Sequence, residues 1–242
     1  MNMDVVALLA NLGNPWLNGL TTLLFIASVQ ADAIVPKQSQ PLPQDLPRVL
    51  IIGDSISIGY TPYLKELLRE KAAIVHHRGN AEHTGTGLKK LDEWLGAGNW
   101  DVIQFNWGLW DLCYRHPDSK VQGRRDKERG TLTTTETQYA QNLELLVSRL
   151  KQTNAQLIWA NTTIVPAGEA GRKEGDDLRY NEIAHEIMAR SEIPITDLNT
   201  LSRSFGPDYF IAPGNVHFTA KGYDALAHTA KSAIEKALQL TP

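Results

Sequence analysis

Five short apolar runs, rich in valine and isoleucine, recur along the chain from residue 49 onward. They lie at Val49–Ile52, Ala73–His76, Val102–Phe105, Gln156–Ala160 and Ile193–Thr196. Because these runs lack polar alternation, they predict strands that are buried on both faces, as in a parallel sheet.

Segments with the apolar spacing of amphipathic helices separate and follow these runs. They cover Tyr60–Glu70, Leu88–Leu95, Glu136–Leu150, Asp177–Arg190 and Ala220–Leu238. A strand followed by a helix, repeated five times, predicts an α/β fold: a three-layer α/β/α sandwich around a sheet of about five strands.

The segment Leu112–Thr135, between the third strand and its helix, breaks this alternation. It mixes basic and acidic residues, namely Lys120, Arg124, Arg125, Lys127 and Arg129 with Asp118, Asp126 and Glu128. A solvated loop is one interpretation. A lid or substrate-facing loop is the other, because long loops at strand ends of such folds often carry function.

The N-terminus favours export. The uncharged stretch 17–31 is too short for a membrane span of about 20 apolar residues, and small residues follow at Val29, Ala31 and Ala33. This predicts a signal peptide over residues 1–33 and a periplasmic or extracellular protein, with no stable membrane anchor after processing. The first basic residue is Lys37, so an apolar N-terminal helix or a mis-chosen start codon is the alternative.

Four prolines within residues 36–47 predict an extended linker over residues 34–47. A single folded domain is then expected over residues 48–242. Its composition is that of a globular protein, with 42% hydrophobic and 21% charged residues. The net charge of −3 argues against a nucleic-acid partner, and the single cysteine, Cys113, excludes an internal disulfide.

Ser55 is the first candidate for chemistry. The first strand runs into Gly53, Asp54 and Ser55, which places Ser55 at the carboxyl edge of a parallel sheet, where crevices open. A helix N-terminus there favours an oxyanion. Ser55 as a simple helix N-cap is the alternative.

His217 is the second candidate. It lies in the sequence NVHFT, just before the last predicted helix, from where it could reach over the sheet edge. Such a histidine suits a general base for Ser55. A loop histidine without a chemical role is the alternative.

Four blocks in this order resemble those of the SGNH (GDSL-type) esterases and acylhydrolases. They are Gly53-Asp54-Ser55, the stretch 80–85 that ends at Gly85, the stretch Gly108-Leu109-Trp110-Asp111, and Gly214-Asn215-Val216-His217. The resemblance covers about Val49 to Leu238 and implies a flavodoxin-like parallel sheet. It also implies an oxyanion hole that includes the backbone N–H groups of Ser55 and Gly85.

The chain departs from this family at two positions. Trp110 replaces the asparagine of the oxyanion hole, and Asn106, at the end of the strand, is an alternative donor. Gly214 replaces the aspartate that orients the histidine. Asp208, Asp197 or a backbone carbonyl is then expected to take that place.

The resemblance implies a serine esterase that forms an acyl-enzyme on Ser55 with His217 as base and needs no metal or organic cofactor. A short acyl group on a carbohydrate, small or polymeric, is the expected substrate. A non-catalytic SGNH-like domain that binds a glycan or a protein is the alternative. An acyltransferase would differ from the esterase only in that a sugar hydroxyl, rather than water, takes the acyl group from Ser55. Acyl length, the alcohol part and the oligomeric state stay open.

Overall fold

A five-stranded parallel sheet forms the centre of the computed structural model, which describes residues 46–239. The strands of this described part are β1 (Arg48–Ile52), β2 (Ala73–His76), β3 (Val102–Phe105), β4 (Tyr114–Arg115), β5 (Thr131–Leu132), β6 (Gln156–Ala160) and β7 (Ile195–Thr196). The central sheet has the order β2-β1-β3-β6-β7. All five predicted strands are therefore confirmed. The last one is shorter than predicted because Pro194, which has no N–H to donate, precedes it.

Within residues 46–239, six helices accompany the sheet: α1 (Ser55–Leu67), α2 (Thr84–Leu95), α3 (Glu136–Leu150), α4 (Asp176–Arg190), α5 (Leu198–Arg203) and α6 (Ala220–Ala237). Helix α1 packs against α6, while α2, α3 and α4 pack in succession. With helices on both sides of a parallel sheet, the α/β/α sandwich is confirmed.

A buried carboxylate connects the loop after β3 to the start of α2. Asp111 accepts hydrogen bonds from the backbone N–H of Thr84 at 3.0 Å and from its hydroxyl at 2.6 Å. Asp111 lies at the helix N-terminus, where a negative charge is favourable. This contact fixes the loop that leads from the sheet edge into the pocket described below.

The segment 112–135 is a folded excursion rather than a free loop. Strands β4 and β5 pair antiparallel, and a 3₁₀ turn covers Gln122–Arg124. The backbone N–H of Tyr114 donates to Gly171 at 2.6 Å, and that of Lys127 donates to Ala170 at 2.9 Å. These bonds attach the excursion to the loop that precedes α4.

The predicted signal peptide, residues 1–33, lies outside the described residues, as does most of the predicted linker 34–47. Strand β1 begins at Arg48. Within residues 46–239, none of the helices has the length and apolar character needed to cross a membrane.

Candidate active site

Ser55 and His217 lie within hydrogen-bond distance, although 162 residues separate them in the chain. Ser55 is the first residue of α1, and the N-cap is its neighbour Asp54, whose carboxylate accepts the N–H of Ile56 at 2.9 Å. The alternative that Ser55 is the N-cap is therefore wrong. The hydroxyl of Ser55 therefore faces His217, and its Oγ lies 2.9 Å from Nε2 of that residue.

Asn215 orients the histidine ring. Its Oδ1 accepts the backbone N–H of His217 at 2.9 Å and lies 2.9 Å from Nδ1 of the same residue. Because only the oxygen of an amide can accept a backbone N–H, this atom must be an acceptor for Nδ1 as well. Nδ1 then carries the ring proton, and Nε2 is the acceptor for the Ser55 hydroxyl.

The two aspartates that were expected to orient His217 have other partners. Asp208 pairs with Lys221 at 2.6 Å on the surface. Asp197 caps α5 by accepting the N–H of Thr200 at 3.0 Å. The prediction that either one orients His217 is wrong, because both carboxylates are held elsewhere.

Two of the expected oxyanion donors are also engaged elsewhere. The N–H of Gly85 donates to Nδ1 of His83 at 3.2 Å, as part of the cap of α2. The amide of Asn106 donates to the carbonyl of Ala160 at 2.7 Å and to the hydroxyl of Thr162 at 3.4 Å. Neither residue lines the pocket at Ser55 in the described part of the chain.

Other donors are available at that pocket. Asn80 lines it, and its Oδ1 accepts the N–H of Glu82 at 2.8 Å, which leaves the Nδ2 group of Asn80 without an acceptor among residues 46–239. The backbone N–H of Ser55 likewise has no acceptor there. Trp110, the last of the four expected donors, lines the pocket too.

The pocket has a volume of about 340 Å³ and brings together residues from five parts of the chain. Its lining includes Asp54, Ser55, Asn80, Leu109, Trp110, Arg115, Gln122, Gly123, Arg125, Arg172, Asn215, Val216 and His217. The excursion 112–135 thus supplies a wall of the pocket, which favours the substrate-facing interpretation over the solvated loop. No group of three or more potential metal ligands occurs within residues 46–239.

Burial lowers the pKa of His217, and the positive charges of Arg172 and Arg125 lower this pKa further. Glu169 acts weakly in the opposite direction. A neutral imidazole is the form that accepts a proton, so the surroundings of His217 favour the form that a general base needs.

The roles of three residues at this site could not be predicted from the sequence. Asn215 and Asn80 both occur inside the four blocks, but only hydrogen-bond geometry distinguishes their roles. Arg172 is 47 positions from its neighbour Arg125 in the chain, so no local pattern indicates that both reach one pocket.

Residues 51–225 match the family model described as the GDSL-like lipase/acylhydrolase family. No curated protein matches the chain. Among solved structures, a lipase/acylhydrolase from Enterococcus faecalis is similar, with 19% identity and a TM-score of 0.65 over 81% of this chain and 98% of that one.

Two acetylxylan esterases share the fold. The acetyl xylan esterase AlAXEase has 15% identity and a TM-score of 0.62, over 77% of this chain and 99% of that one. A catalytic mutant of an acetylxylan esterase from Geobacillus stearothermophilus has 14% identity and a TM-score of 0.59, over 81% and 95% of the two chains.

Proposed function

The chain belongs to the GDSL-like lipase/acylhydrolase family, and we propose that it is a serine esterase that removes a short acyl group from a carbohydrate. The observation that carries this proposal is the line of two 2.9 Å contacts from Asn215 through His217 to Ser55. Such a line, with an acceptor behind the base and the nucleophile in front, is what activates a serine hydroxyl.

In the proposed reaction, Ser55 Oγ attacks the carbonyl carbon of the ester while its proton moves to His217 Nε2. The tetrahedral intermediate collapses, the C–O bond to the alcohol breaks, and the alcohol leaves with the proton from Nε2. Water then gives a proton to Nε2 and attacks the acyl carbon. The bond from this carbon to Ser55 Oγ breaks, Oγ takes the proton back from Nε2, and the acid is released. Asn215 accepts the Nδ1–H bond throughout and keeps the ring in place.

The negative charge of the intermediate develops on the carbonyl oxygen beside the start of α1. We assign its stabilisation to the free N–H of Ser55 and the free amide of Asn80, with the N-terminal dipole of α1 adding to both. Trp110 lies in the same pocket and can supply an indole N–H.

The carbohydrate part of the proposal has two supports. The pocket volume of about 340 Å³ falls in the range of small-molecule sites. In addition, two proteins with the same fold are acetylxylan esterases. Water rather than a sugar hydroxyl is proposed to resolve the acyl-enzyme.

A fluorophosphonate probe tests the nucleophile directly. We expect the probe to form one covalent adduct on the folded protein, located at Ser55 by peptide mass spectrometry, because His217 activates this hydroxyl. Ser55→Ala serves as the control and should remain unlabelled. A folded wild-type protein that takes up no probe and hydrolyses neither p-nitrophenyl acetate nor acetylated xylan would instead be a binding domain.

The lowered pKa of His217 predicts activity in mildly acidic solution. The kcat/KM for a neutral ester should fall only below about pH 6.5, the ordinary imidazole value. Arg125→Gln removes a nearby positive charge, so it should raise the pKa of His217 and move this acidic limb to higher pH. Lys120→Gln, an equal change of charge outside the pocket, should leave the limb in place. An unmoved limb in both variants would show that the base is not beside Arg125.

A further inference from the structure

Three arginines, Arg115, Arg125 and Arg172, line the pocket at Ser55. Two buried carboxylates lie near them: Glu169, which pairs with two of the arginines, and Asp54. Even with both carboxylates ionised, the group keeps one excess positive charge. Positive charge concentrated at the wall of a pocket attracts anionic ligands.

Arg172 is built into this wall. Its side chain is only 6% exposed, and it donates from Nε to the carbonyl of Leu109 at 2.6 Å and from Nη1 to Glu169 at 3.0 Å. Its Nη2 group has no acceptor among the described residues, although the side chain lines the pocket. This donor is open to the pocket while the rest of the guanidinium is held in place, so it is available to a ligand there.

Glu169 holds two of the arginines in position but balances the charge of only one. Its carboxylate is fully buried, with one oxygen shared between Arg125 at 2.5 Å and Arg172 at 3.0 Å. The other oxygen accepts the N–H of Gly171 at 2.6 Å. A purely structural ion pair would need one guanidinium for this carboxylate, and the second one is in excess.

Arg115 extends the charged wall from the excursion 112–135. Its Cζ lies 4.5 Å from the centroid of the Trp110 ring, and its Nη1 donates to the carbonyl of Gly123. The Nε and Nη2 groups have no acceptor within residues 46–239. A guanidinium that lies over an aromatic ring keeps its N–H groups in its own plane, where they are available to the oxygens of a carboxylate or a similar planar anion.

We infer that the ester substrate carries an anionic group, such as a carboxylate, which Arg115 and Arg172 bind beside the scissile ester. This inference rests on the proposed esterase function and narrows its substrate class from carbohydrate esters in general to anionic ones. The anion can belong to the alcohol part, as in an acetylated uronic acid, or to the acyl part, as in a hemisuccinate. In both cases the same two guanidinium groups would bind it.

Matched substrates that differ in charge test the inference. The first pair is acetylated methyl glucuronoside and acetylated methyl glucoside, followed by acetate release. The second is 4-nitrophenyl hemisuccinate and 4-nitrophenyl butyrate. We expect kcat/KM to favour the anionic member of at least one pair by about tenfold, because a charge-assisted hydrogen bond contributes that much. A preference in the first pair places the anion on the alcohol part of the substrate, and a preference in the second pair places it on the acyl part.

Arg115→Gln tests the assignment with little risk to folding, since the only hydrogen bond of its side chain among residues 46–239 is to the carbonyl of the exposed Gly123. We expect the anionic-to-neutral ratio of kcat/KM to fall about fivefold or more. Lys120→Gln removes an equal charge from the same excursion outside the pocket and should leave the ratio unchanged. A wild-type ratio near one in both pairs, or equal effects of the two variants, overturns the inference.

Binding to Ser55→Ala separates this inference from the proposed function. Calorimetric titration should show methyl glucuronoside or succinate binding, with methyl glucoside binding more weakly by about tenfold. If the wild-type protein hydrolyses no ester but this preference holds, the esterase function fails and the anion site stands. If esters are cleaved without any preference in binding or turnover, the function stands and the anion site fails.

Discussion

Ser55→Ala is expected to lower ester turnover by about 10⁴-fold or more, since loss of the nucleophile removes the acyl-enzyme route. The free energy of unfolding should stay within about 0.5 kcal/mol of the wild type. Ser55 is half-buried, its hydroxyl bonds to His217, and the helix cap is supplied by Asp54. Turnover of a 4-nitrophenyl ester and a urea unfolding curve measure the two effects.

Ser57 supplies a matched control on the same helix. Its buried hydroxyl donates to the carbonyl of Asp54 at 2.8 Å, lies 2.8 Å from His76 Nε2 and does not line the Ser55 pocket in the described chain. Ser57→Ala should therefore lose about 1 kcal/mol of stability and retain its turnover. If Ser55→Ala kept more than about 1% of wild-type turnover, Ser55 would not be the nucleophile.

The fold was largely predictable because its signals are local. Buried strands have continuous apolar runs, and helix α3 begins and ends at its predicted residues. The apolar stripe of α1 is recognisable only from Tyr60, yet the helix begins at Ser55, because the Asp54 cap acts ahead of the stripe. Helix α5 has six residues, too few for a periodic signal.

The site was predictable only where its residues follow the family blocks. Ser55 and His217 lie where those blocks place them. The family's aspartate position is Gly214, whose φ of +67° suits glycine and where an added Cβ would lie 2.8 Å from the carbonyl oxygen of Gly168. An acidic side chain there would be strained, so the orienting group has to come from another position. No pattern in the sequence indicates that it is the next residue, Asn215.

Asn215→Ala is expected to lower kcat by about 10²- to 10⁴-fold, since a triad base that loses its orienting partner loses up to that much. His217 would then lack the acceptor for Nδ1–H, and its backbone N–H would lose the bond that shapes the turn. Turnover of a neutral 4-nitrophenyl ester measures the loss. If the melting temperature of the variant stays close to that of the wild type, the loss of turnover comes from the orientation of the His217 ring rather than from the fold.

Asn215→Asp distinguishes orientation from a merely structural role of this side chain. A carboxylate can accept the same two hydrogen bonds and adds a negative charge beside the ring, so it should rescue turnover relative to Asn215→Ala. The charge should also raise the pKa of His217 and move the acidic limb of kcat/KM to higher pH. A residue that only shapes the turn would leave this limb unmoved. Full turnover in a folded Asn215→Ala variant would show that His217 needs no such partner or is not the base.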